Sequence, residues 1–235
     1  MENQAQSSPD QTSTTPEAHT TLPFVPTSWP GAFGLYKYSK QVIKLNLSTF
    51  LTLMATSILL GIVSSALERA IQSVLLVIVT VVVFEILSAI VSIAFYVPTL
   101  VGTKGEKVSV SESFARVTPR ILISYIGIVL VSIPILVLSL VFLVIPFFFV
   151  APRLSLAGLF VLDQNMGPFQ AIAASWHATK GNIAKIWGIV LANIVMFLPA
   201  LTIIGIPVSI YLVFMYGASL TLLYRFASAS SATRL

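Results

Sequence analysis

The sequence predicts an all-α integral membrane protein, a six-helix transmembrane bundle with cytoplasmic amphipathic surface helices. Three observations lead there. The runs Leu45 to Leu67, Ala70 to Phe84, Ile121 to Pro152 and Ile186 to Tyr224 contain no Asp, Glu, Lys or Arg, and one helical crossing of a bilayer takes about 20 apolar residues. The composition, 57% hydrophobic and 9% charged, lies far from that of soluble domains, where about a quarter of residues are charged. The basic residues, finally, sort by position relative to the runs.

The first segment differs from the rest. Met1 to Thr21 is rich in Ser, Thr, Gln and Pro, with three acids and no Lys or Arg. It lacks the basic start and apolar core of a secretory signal. Residues 1–29 therefore read as a disordered polar tail, in which Pro23, Pro26 and Pro30 keep the approach to the membrane extended. Phe24, Trp29 and Phe33 suit the membrane interface. Residues 30–226 form the membrane domain, and residues 227–235 a short cytoplasmic tail.

Six spans follow: Leu45–Leu67, Ile71–Val97, Ile121–Phe142, Ile145–Leu162, Ile186–Leu201 and Ile206–Arg225. Glu68 and Arg69 mark the first turn. Pro199 and Gly205-Ile206-Pro207 place a turn inside the last uncharged run. Pro146 and Pro152 leave two readings of the fourth span, a full crossing or a shallow re-entrant element. In the first helix Ser57, Gly61 and Ser65 recur at four-residue steps, a spacing that lets helices approach closely.

Orientation follows from the cations. Lys37, Lys40 and Lys44 precede the first span, and Lys104, Lys107, Arg116 and Arg120 separate the second from the third. Lys180 and Lys185 precede the fifth, while Arg225 and Arg234 follow the sixth. With six crossings all of these fall on one side, opposite Arg69. The expected location is the cell membrane (plasma or inner), with both termini cytoplasmic.

A weak repeat underlies this layout. Ser109 to Pro119 sets Val110, Phe114, Val117 and Ile121 at helical spacing, and Ser109 with Glu112 fits a capping box. Pro168 to Ile183 aligns Phe169, Ile172, Ala173, Trp176 and Lys180, with Pro168 suited to a first helical turn. Ser113-Phe114 and Ser175-Trp176 match in position. Leu35 to Leu45 has a poorer stripe. The inferred plan is three units, each a surface helix followed by a hairpin.

Two charges escape the sorting. Glu85 lies near the middle of the second span and Arg153 near the middle of the fourth. A charge there costs about 2.5–3.5 kcal/mol on insertion scales, so the two are natural partners across the bundle interior. A buried structural pair is the simpler reading; a proton relay, ion path or anionic-substrate site is the functional one. His19 and His177 lack the spacing of metal ligands. Asp163, Gln164 and Asn165 read as a cap for the next segment. With no cysteine and no phosphate loop, HExxH or GxSxG motif, neither catalytic residues, metal nor cofactors are expected.

The stretch Arg153 to Asn182 reads R-L-S-L-A-G-L-F-V-L-D-Q-N-M-G-P-F-Q-A-I-A-A-S-W-H-A-T-K-G-N. An Arg-bearing helix, an acidic turn and A-x-x-x-S-W-x-x-x-K-G-N resemble bacterial multi-pass membrane domains. These include the membrane domain attached to some glycerophosphoryl diester phosphodiesterases, and related uncharacterised membrane proteins. The resemblance implies a six-span layout; in its enzyme members catalysis sits on a separate soluble domain. Up to Leu235 this sequence carries no such domain, nor the His and acidic set its metal chemistry requires, so no enzyme is expected. The expected function is a non-catalytic membrane module that organises lipids or a protein partner at the cytoplasmic face, with Phe114, Arg116, Trp176 and Lys180 as contacts. A small-solute transporter or channel built on Glu85 and Arg153 is the alternative. Because the cations flank spans, nucleic acid is not an expected partner.

Overall fold

The computed structural model describes residues 22–142 and 144–232. Every regular element among them is helical. Helix α1 (Leu35–Leu45) is short and leads into α2 (Leu47–Ala70) and α3 (Val74–Gly102). The short α4 (Val110–Ala115) leads into α5 (Pro119–Phe142), α6 (Val144–Leu154) and α7 (Ala157–Gln164). The short α8 (Pro168–Ala178) leads into α9 (Ile183–Phe197), α10 (Gly205–Met215) and α11 (Ser219–Ala232), with a 3₁₀ turn at Leu198–Leu201 after α9. A short helix followed by a hairpin thus occurs three times.

Six stretches are long and apolar enough to cross a membrane: Leu47–Ala70, Val74–Gly102, Pro119–Val141, Pro146–Gln164, Ile183–Leu201 and Gly205–Ser228. The chain is a multi-pass membrane protein. The fourth and sixth spans are each broken, between α6 and α7 and between α10 and α11.

Local chemistry explains the boundaries. Ser109 and Glu112 form the capping box of α4: the Ser109 side chain accepts from the Glu112 N–H, and Glu112 accepts from the Ser109 N–H at 2.7 Å. The Ser109 hydrogen bonds hold the exposed Glu112 carboxyl below its ordinary range. Pro152 lies inside α6 and cannot donate to the carbonyl four residues back. That carbonyl, of Phe148, instead accepts from the Trp187 indole N–H at 2.8 Å. Backbone polar groups within a membrane need such substitutes.

Packing is concentrated in the half of the bundle that bears the short helices. In α2 the buried residues are Thr49, Phe50 and Leu53; in α3 they all lie from Val91 onward. Phe50 is fully buried, edge-on to Phe95 and Phe214. Gly102 lets α1 and α3 touch, since a Cβ there would meet a Val42 methyl at 2.8 Å. The other half splays. Leu75, Val141, Leu201 and Ile203 are 70–88% exposed, which suits hydrocarbon as apolar as they are. The row Ser57, Gly61 and Ser65 is exposed as well, so it packs no helix of this chain.

Two sequence boundaries shift. Residues 1–21 of the expected tail lie outside the described residues, but residues 22–29 pack on the bundle. Phe24, Val25 and Trp29 join the core around Leu35 and Tyr216, and Trp29 meets Phe226 at 5.9 Å. At the other end α11 continues to Ala232 where a tail from 227 was expected; apolar contacts of Phe226 and Ala227 carry the helix on.

Candidate polar site at the basic end of the bundle

Each short helix buries one serine completely: Ser39 in α1, Ser113 in α4 and Ser175 in α8. The Ser39 hydroxyl donates to the Met215 carbonyl at 2.7 Å and accepts from the Ala218 N–H at 3.0 Å, so it bridges the break in the sixth span. The Ser175 hydroxyl donates to the Arg153 carbonyl at 2.6 Å, just before the break in the fourth. Helix ends leave carbonyls without partners, and these two are met by serines from neighbouring short helices. Ser113 donates within its own helix, to the Ser109 carbonyl. α4 lies on α3, α8 on α6 and α7, and α1 on α10 and α11. Each short helix therefore covers the second span of the unit before it, and the first unit closes the ring onto the third.

This arrangement brings the ends of three spans together. Asp163 and Arg225 lie the same number of residues beyond the anchored carbonyls of Arg153 and Met215, while Thr103 caps α3. The Arg225 guanidinium grips Asp163 with two hydrogen bonds, of 2.8 and 2.9 Å, and its Nε donates to the Thr103 hydroxyl at 3.3 Å. The Tyr224 hydroxyl donates to Asp163 at 2.7 Å and accepts from Gln164 at 3.1 Å. One turn deeper, the Thr221 and Thr99 hydroxyls meet at 3.0 Å. The side chains of Arg225 and Asp163 are only 14% and 19% exposed, so the network is largely withdrawn from solvent and held by good geometry.

The residues singled out in the sequence are distributed differently from expectation. Glu85 and Arg153 do not pair. Glu85 is exposed near the middle of α3, and no ion pair or hydrogen bond reaches it among the described residues. Arg153 stacks its guanidinium on the Trp176 ring at 4.3 Å. The reason is registry: the carbonyl of Arg153 is tied to Ser175, the residue beside Trp176. Two of the six candidates, Arg153 and Trp176, thus come together. Arg116 is exposed and lines a cavity with Lys104, Asp163 and Arg225. Phe114 is half-buried, and Lys180 is exposed away from that cavity. The cap expected from Asp163, Gln164 and Asn165 is also corrected. Asn165 ends α7 in a left-handed conformation (φ 52°), and α8 starts after Gly167; Asp163 and Gln164 serve the network.

Since Glu85 has no partner to lose among the described residues, Glu85→Gln is expected to leave the thermal unfolding midpoint of the detergent-solubilised protein unchanged or higher. A loss of about 1 kcal/mol or more, the net contribution of a hydrogen bond, would show that Glu85 is held by a partner after all.

Sequence reasoning missed Asp163, Tyr224, Arg225, Thr99 and Thr103 as one cluster. The available signal was an acid at the end of a span, on the side where cations gather. Among the described residues no group of His, Asp and Glu is arranged to hold a metal ion. No family model, curated protein or solved structure matches this chain.

Proposed function

We propose that this chain is a non-catalytic membrane module that organises anionic lipids at the cytoplasmic face. One observation carries the reading. Lys37, Lys44, Lys104, Lys107, Arg116, Arg120 and Lys180 are all exposed, and they surround the end of the bundle where the spans pack and the amphipathic short helices lie. By the positive-inside bias this end is cytoplasmic, where anionic headgroups attract basic side chains by about 1 kcal/mol each. A transport route built on Glu85 and Arg153 would need both to line one hydrated cavity, and what favours the module over it is that Arg153 stacks on Trp176.

The chain has no cysteine, which makes topology directly measurable. Single cysteines at positions 37, 107 and 180 should react with an impermeant thiol reagent only from the cytoplasm, and one at position 73 only from outside. Function is read from the lipids that full-length protein retains when extracted in polymer discs. Acidic lipids should be enriched over the bulk membrane, and changing Lys37, Lys44 and Lys180 together to Gln should reduce the enrichment. A bulk-like lipid composition around the unaltered protein would remove this reading.

A further inference from the structure

At the basic end, between α3, α4, α7 and α11, lies a cavity of about 140 Å³. Leu100 and Leu162 line its apolar part, and Lys104, Arg116, Asp163 and Arg225 contribute its charges. We propose that this cavity binds a phosphate group, held by Lys104 and Arg116 above the Asp163–Arg225 pair. The proposal deepens the lipid-organising reading and rests on this end facing anionic headgroups.

Charge balance is the first argument. Asp163 is the one acid of the lining, and both its oxygens are taken by Arg225, with Tyr224 adding a hydrogen bond. Its charge and that of Arg225 cancel. Lys104 and Arg116 remain, two cations with no acid in the lining to oppose them. Glu112 lies one turn before Arg116 on the outer surface and is no part of the lining. Arg116 attracts it, but the stronger hold on its carboxyl is that of Ser109, through two hydrogen bonds. A phosphate monoester carries close to two negative charges at neutral pH, which matches the surplus.

Geometry and place agree with the charge. Arg116 offers a planar fork of N–H donors suited to two phosphate oxygens, and Lys104 a compact point charge. The leucines lower the local dielectric, which strengthens attraction to an anion that enters. Lys104 follows the end of α3, and Arg116 follows α4 just before α5 begins. Both therefore stand at the depth of headgroup phosphates, where basic pockets between spans recognise lipid heads. Arg225 contributes by being immobile: with its three nitrogens committed to Asp163 and Thr103, it forms a fixed polar floor.

The test uses full-length protein in a neutral detergent, followed by thermal unfolding. It is titrated separately with short-chain phosphatidic acid, short-chain phosphatidylcholine and inorganic phosphate. Phosphatidic acid should raise the unfolding midpoint, and phosphatidylcholine should not. The variant K104Q/R116Q, which loses only exposed side chains and should keep the same midpoint without ligand, should need at least about tenfold more phosphatidic acid for the same shift, since each basic side chain near the surface counts for roughly fivefold. A shift with phosphatidic acid but not with inorganic phosphate assigns the site to a lipid headgroup; a shift with both, each weakened in the variant, assigns it to the phosphate group alone. Absence of any shift, or equal shifts in unaltered protein and variant, overturns the site. The variant K37Q/K44Q/K180Q separates the two readings: retained phosphatidic acid binding with lost lipid enrichment in discs supports the cavity, whatever happens to the wider module.

Discussion

Asp163→Asn is expected to lower the stability of the bundle by about 3 kcal/mol, the low end of what removing one partner of a buried ion pair costs. The low end applies because the two side chains keep 14% and 19% exposure. The cost arises chiefly from Arg225. Its guanidinium would stay in place, tied by Nε to Thr103, but would face a neutral amide in a poorly hydrated site. Arg225→Gln should cost a similar amount for the mirror reason, since Asp163 would keep only the Tyr224 hydroxyl. The double variant Asp163→Asn/Arg225→Gln should lose less than the two single losses added, as groups in one network are not independent. Thermal unfolding of the four proteins in one detergent decides this. A single-variant loss below about 0.5 kcal/mol, the size of an exposed pair, would mean that the pair does not tie the spans together. Tyr224→Phe should fall between, because it removes the two hydrogen bonds of that hydroxyl, to Asp163 and from Gln164, and leaves the charges matched.

The spans were readable because their signal is the absence of charge over long distances, and that signal needs no helix face to be assigned. The capping box of Ser109 and Glu112 was readable because it is local. Glu85 shows where this stops. Its depth in α3 follows from the sequence, but its direction does not, since Val74 to Phe84 is apolar apart from Thr80 and carries no stripe to say which face turns inward. The pair of Asp163 and Arg225 was hidden for another reason. Each residue had a sufficient local explanation, one as a helix cap and the other as a topology marker, and nothing along the chain brings two positions so far apart into register. The three-unit plan supplies that register only once α1 is seen to close onto α10 and α11. The stripe of α1 is better than its sequence suggested, since Leu35, Ser39, Val42 and Ile43 are buried along one face. What concealed the closure is that a stripe does not name the helix it covers, and the anchor to the sixth span is Ser39, a polar residue that an apolar pattern passes over.

The serines supply the sharpest test of that plan. Ser175→Ala should destabilise the protein by about 1–3 kcal/mol, the range for a buried acceptor left without its donor. Here the orphan is the Arg153 carbonyl at the break of the fourth span, in surroundings where water is scarce. Ser39→Ala should cost at least as much, because its hydroxyl serves both the Met215 carbonyl and the Ala218 N–H. Ser113→Ala should cost clearly less, although Ser113 is just as buried. Its hydroxyl bonds only to the Ser109 carbonyl within the same short helix, and removing it unties no span. The ranking, not the size of any one loss, carries the argument. Equal losses at all three positions would mean that burial of a small side chain explains them, and the short helices would then be cover for the spans but not the fastenings of their breaks. A large loss at 39 and 175 with a small one at 113 would identify the hydroxyls as what holds the ring of three units closed. The loss of Ser175 should also loosen Trp176 from Arg153, visible as a change in tryptophan fluorescence that Ser113→Ala does not produce.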